Sequence, residues 1–128
     1  CSSDLVMLLP SIGLKGLSRH PARARVQPTP GLTEVNCHVD LIDWRGGRGF
    51  IGTEAALDLL VDHLAARRGG EADPTEPTGL LSHHLVHDEA CWDFLDRLLG
   101  QLVNDPRCRF PTVRSLFDPE HHEAAAHG

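Results

Sequence analysis

The chain has 128 residues, room for one domain and not for two. Its 18 Asp and Glu outnumber 12 Lys and Arg, and the formal charge of -6 is the reverse of the basic balance that nucleic-acid binding needs. No apolar run is long enough for a membrane span, and 41% hydrophobic against 23% charged residues is the mix of a folded domain rather than a disordered one.

Cys1-Ser2-Ser3-Asp4-Leu5 resembles the translated tail of a sequencing-library adapter. Residues 1–5 are therefore expected to be a non-native leader, 6–118 a partial domain and 119–128 a flexible tail. Leu5 to Leu9 reads as the end of a helix stopped by Pro10, and Ile12 to Ser18 as a short strand weakened by Gly13 and Gly16. His20 to Gly31, with three Pro, reads as an exposed loop. Leu32 to Leu41 is a strand candidate through Val35 and Val39, and a Gly-rich loop follows from Asp43 to Gly49.

Thr53 is placed as the N-cap of a helix with apolar positions at Ala56, Leu57, Leu60, Val61 and Leu64. Arg67 and Arg68 suit its last turn, and Gly69-Gly70 ends it. Thr78 to His84 is a buried strand candidate. Asp88 can cap a second helix running to about Asn104, with an apolar stripe of Cys91, Trp92, Leu95, Leu98, Leu99, Leu102 and Val103. Arg109 to Leu116 reads as a last strand near an edge, because of Pro111. Strands alternating with helices imply right-handed crossovers and a parallel sheet, an α/β unit that looks like half of something larger. Cys1, Cys37, Cys91 and Cys108 are far apart without a CxxC pair. They read as free thiols of a reducing compartment, the cytoplasm, rather than a zinc knuckle.

In parallel α/β folds, chemistry gathers at the carboxyl ends of the strands. His38, Asp40, Asp43 and Trp44 end the first strand; His83, His84, His87 and Asp88 end the second. Alternation puts Asn36, His38 and Asp40 on one face, and turns one of His83 and His84 inward without saying which. A carboxylate beside a His fixes its tautomer and favours its protonated form, which prepares a general acid. His83 and His87 have an HxxxH spacing, but it straddles a strand end and a helix start, a poor geometry for a metal.

Val39-Asp40-Leu41-Ile42-Asp43-Trp44 resembles the D-x-x-D-W motif of the polysaccharide deacetylases with the NodB homology fold, and Leu80-Leu81-Ser82-His83 resembles their L-x-H motif. The resemblance spans roughly residues 8 to 117. It implies the C-terminal part of a distorted (β/α) barrel and a divalent metal, usually zinc, and it implies hydrolysis of N- or O-acetyl groups on a sugar. The metal ligands, an Asp and two His, and the catalytic base would lie in an N-terminal half of the same polypeptide, and none of these 128 residues is assigned to the metal. The resemblance makes His83 the general acid, Asp43 its tuning partner, and Trp44 and Leu81 the lining of the acetyl pocket. His38, Asp40 and His84 would contact substrate or support the site. Two other readings are open: a self-contained metal hydrolase using His83, His84 and His87, and a non-catalytic carbohydrate-binding or scaffold domain of the same fold.

Overall fold

The computed structural model describes residues 3–118 and 120. Residues 1 and 2 of the expected leader, and the expected tail at 119 and 121–128 with His121, His122 and His127, lie outside the described residues. Helix α1 (Ser3–Leu8) begins within the expected leader, and Pro10 sits in a 3-10 turn over Leu9–Ile12 that follows it. Four short strands come next: β1 (Gly16–Leu17), β2 (Thr33–Glu34), β3 (Val39–Asp40) and β4 (Leu80–Leu81). Helix α2 (Thr53–Gly69) connects β3 to β4; α3 (Glu89–Val103) and α4 (Val113–Leu116) close the chain.

The strand expected over residues 32–41 is split between two partners. Gly16 pairs with Thr33 and Leu17 with Glu34; Val39 pairs with Leu80 and Asp40 with Leu81, parallel in both cases. The N–H groups of Thr33, Val35 and Cys37 donate to the carbonyls of Lys15, Leu17 and Arg19, and those of His38 and Val39 then donate to the Gly79 carbonyl. The chain therefore changes partner at residues 37–38. The pairing is parallel, as expected, but it makes two two-stranded sheets and no closed barrel among the described residues. Gly79 is what lets the second pairing start: a Cβ there would lie 2.9 Å from the Asn36 carbonyl oxygen and 3.1 Å from Cys37 Cα, closer than side chains tolerate.

The β3–α2–β4 unit and α3 share one core. Val39, Leu41, Ala56, Leu60, Cys91 and Phe94 are buried, with Phe50, Ile51, Leu80, Leu95 and Leu98 packed against them. Each fully buried Leu or Phe contributes about 1.5–3 kcal/mol. Phe94, which falls outside the expected stripe, is buried, while Trp92, expected in the core, is half exposed.

Helix ends follow from local chemistry. Asp88 caps α3 as expected, its Oδ1 accepting the Cys91 N–H at 2.9 Å. The expected Thr53 cap is corrected: Gly52, at φ 97°, precedes α2 and Thr53 is its first helical residue. The expected last strand is also corrected. Thr112 Oγ1 accepts the Ser115 N–H, and this cap nucleates α4 where a strand was expected.

Candidate functional site

The parallel register of β3 and β4 brings their carboxyl ends together, and with them Asp40 and His83. His83 Nε2 lies 3.1 Å from Asp40 Oδ1, an ion-pair distance without the alignment of a hydrogen bond. The Asp40 carboxylate is fixed from other directions. Its Oδ1 accepts the Ile42 N–H at 3.0 Å, and its Oδ2 accepts the Trp44 indole N–H at 2.9 Å. The Trp44 ring stands edge-on to the His83 ring at 4.8 Å and 84°. The side chains of Asp40 and His83 are 25% and 26% exposed and Trp44 is 46% exposed, so the group opens to solvent. With Nε2 turned toward Asp40, Nδ1 is the ring atom left to face a ligand.

Asp43, expected beside His83, is exposed and turned into its own loop. Its Oδ1 accepts the backbone N–H groups of Arg45 and Gly46 at 3.1 and 2.9 Å. The position expected for Asp43 is taken by Asp40, because Asp40 ends the strand hydrogen-bonded to β4 while Asp43 opens the following turn. Leu81 lies on β4 opposite Asp40 and is half-buried. His84 is exposed in the turn after β4, so His83 is the inward member of the pair.

His38, expected at the substrate, is instead buried in a second polar cluster. Gly79 N–H donates to its Nδ1 at 3.0 Å, so the ring proton sits on Nε2, 2.7 Å from Glu76 Oε1. His63 stacks on His38 at 3.7 Å and 15°, with Nδ1 2.8 Å from Thr78 Oγ1. Burial first, then the neighbouring His38 and Arg67, pushes the His63 pKa down to about 4. Below this pair, Arg23 is buried and donates from Nε to Asp73, from one terminal nitrogen to the Glu34 carbonyl and from the other to Thr75 Oγ1. Burial alone would raise the Glu76 carboxyl. Hydrogen bonds from His38 and from the backbone N–H groups of Asn36 and Arg23 outweigh that and hold it below its ordinary range.

His38, His63 and Glu76 have one potential ligand atom each, all within 4.8 Å of one another. They do not fit a divalent metal. A ligating His coordinates through one nitrogen and donates from the other, whereas His38 Nδ1 already accepts a backbone N–H. Glu76 spends both oxygens on N–H donors, and the Arg23 guanidinium stands 3.6 Å from Oε2. The described cysteines, Cys37, Cys91 and Cys108, are free thiols. Burial, with Asp88 nearby, pushes the Cys91 thiol up, away from nucleophilic thiolate.

Sequence reasoning missed Arg23, Glu34, His63 and Glu76. Nothing local in the Pro-rich segment 20–31 or in the linker 70–77 signals that their charges meet. Compared with known proteins, the chain matches no family model, no curated protein and no solved structure.

Proposed function

We propose that the chain is the proton-donating part of a polysaccharide deacetylase-type hydrolase, acting on an N- or O-acetyl group of a sugar. The observation behind this reading is the Asp40–His83 pair set against Trp44 at the adjacent carboxyl ends of two parallel strands. In this role His83 gives a proton from Nδ1 to the departing amine or alcohol, while Asp40 steadies the ring through Nε2. Asp40 replaces Asp43 as the partner. Trp44, anchored through its N–H, offers an exposed ring wall to a sugar or acetyl group.

Zinc, which the resemblance implies, would polarise the acetyl carbonyl; no described residue is assigned to hold it. A remainder of the polypeptide would carry it and complete the barrel. The apolar surface left open supports such a remainder: Leu57, Leu59, Val61 and Leu64 of α2 are exposed. An open groove of about 910 Å³ also runs between α2, α3 and the segment before α4.

The test is a titration of the ¹⁵N-labelled chain with an oligomer of N-acetylglucosamine. Shifts centred on the Trp44 indole and the His83 ring support the reading. Saturating oligosaccharide that leaves both unmoved overturns it. If His83→Ala in the complete hydrolase keeps its metal but loses turnover, the proton-donor role stands; loss of the metal would make His83 a ligand instead.

A further inference from the structure

His87 lies four residues after His83 and outside the pair just described. Its Nε2 accepts the backbone N–H of His83 at 2.9 Å. A backbone N–H only donates, so Nε2 holds a lone pair and the neutral ring carries its proton on Nδ1. The His83 carbonyl is held too, by the N–H groups of Val86 at 2.8 Å and His87 at 3.2 Å. Both polar groups of the His83 main chain are thus gripped by the turn that follows. The His87 ring is in turn set edge-on against Trp92 of α3, at 4.7 Å and 67°.

We propose that His87 is a positioning residue. As a neutral ring protonated on Nδ1, it holds the His83 main chain so that the His83 imidazole stays between Asp40 and Trp44. This rests on the reading of His83 as proton donor, but the device is visible without turnover. Protonating His87 would place an N–H against the His83 N–H, and two facing donors repel. The titratable groups beside it are His83, which pairs with Asp40, and His84 within the turn, and Asp88, the next residue, which caps α3. From α3 itself it meets the uncharged Trp92.

The experiment is NMR of the full chain in three forms: the native sequence, His87→Gln and His87→Phe. Gln keeps an acceptor that does not titrate, and Phe keeps the ring against Trp92 but accepts nothing. The native chain should show His87 protonated on Nδ1. Its His83 amide should exchange about tenfold more slowly than in His87→Phe, the effect of one hydrogen bond. His87→Gln should restore that protection and the cross-relaxation between the Trp44 and His83 rings, both weakened in His87→Phe. Acidification should mimic His87→Phe in the native chain and leave His87→Gln unaffected. A His87 proton on Nε2, or equal His83 protection in His87→Phe and the native chain, overturns the proposal. Should His87→Phe not fold, the native tautomer and the acid response of His87→Gln decide it. Failure of the deacetylase reading would look different: oligosaccharide would leave Trp44 unmoved while the His87 tautomer stayed as stated.

Discussion

The two polar clusters of this molecule differ in what they leave unspent. Around Arg23 and Glu76, the Glu76 carboxylate, the guanidinium and the His38 ring are buried and bonded to one another or to the backbone, while His63 Nε2 and Arg67 Nε at the edge of the cluster are buried without a partner. At the rim, Asp40 is anchored on both oxygens but the His83 ring meets only the Asp40 carboxylate and the edge of Trp44 and makes no hydrogen bond through Nε2, and Trp44 keeps an exposed face. A cluster whose charges are matched internally stabilises one structure, and His63 Nε2 is the one imidazole nitrogen it leaves unbonded. An anchored carboxylate beside an uncommitted imidazole retains the capacity for a ligand. The presence of His and Glu is thus a poorer guide to chemistry than the count of bonds they already make.

Substitutions should separate the two regions. The largest loss is expected for Arg23→Ala, which removes the buried guanidinium facing Glu76 and Asp73 and leaves the Glu34 carbonyl without its donor, and should cost about 3–5 kcal/mol in urea unfolding. A cost under about 1 kcal/mol would mean the cluster is not a structural core. His83→Ala should behave oppositely. Its stability should stay within about 1 kcal/mol of the native chain, while on the proposed reading any deacetylase turnover that depends on this chain falls ~10²–10⁴-fold.

The buried cluster should also give stability an acid limb. The folded-state pKa of His63 is lowered from 6.5 to about 4, so the unfolded chain binds the proton more readily. The His63 contribution is full above pH 6.5 and is lost as pH falls toward 4, by on the order of 1–3 kcal/mol. Glu76 and Asp73, both held below their ordinary values, add a further loss at lower pH still, as their carboxylates take up protons. Melting temperatures of the native chain and His63→Gln across pH 4 to 7 check this, and the variant should be flatter. The smallest effect belongs to Asp43→Ala. Loss of its turn bonds should cost about 0.5–1.5 kcal/mol and leave the Trp44–His83 ring contact unchanged, whereas Asp40→Asn should disturb that contact.

Much of the scaffold was legible in the sequence because it rests on local signals. Asp88 as a cap, Gly69-Gly70 as a stop, two long helices and a parallel β–α–β unit follow from capping chemistry and spacing. The convergence of Asp40, Trp44 and His83 at one rim was equally readable, since parallel strands align their carboxyl ends. The choice between Asp40 and Asp43 was not, because it depends on where the strand stops and the turn begins. Arg23 and Glu76 were invisible for another reason: 53 positions separate them, and each lies in a segment whose composition reads as loop. The final strand failed on one side chain, since a Thr cap outweighed the β-forming character of Arg109 to Leu116.

The central claim is that the open rim, and not the buried cluster, meets the acetylated sugar. Its most direct test is to map the residues of the ¹⁵N-labelled chain that respond to an N-acetylglucosamine oligomer. The account predicts responses at Trp44, Asp40 and His83, abolished by Trp44→Ala. Responses centred on His38, His63 and Glu76 instead, or none at saturation, would contradict it.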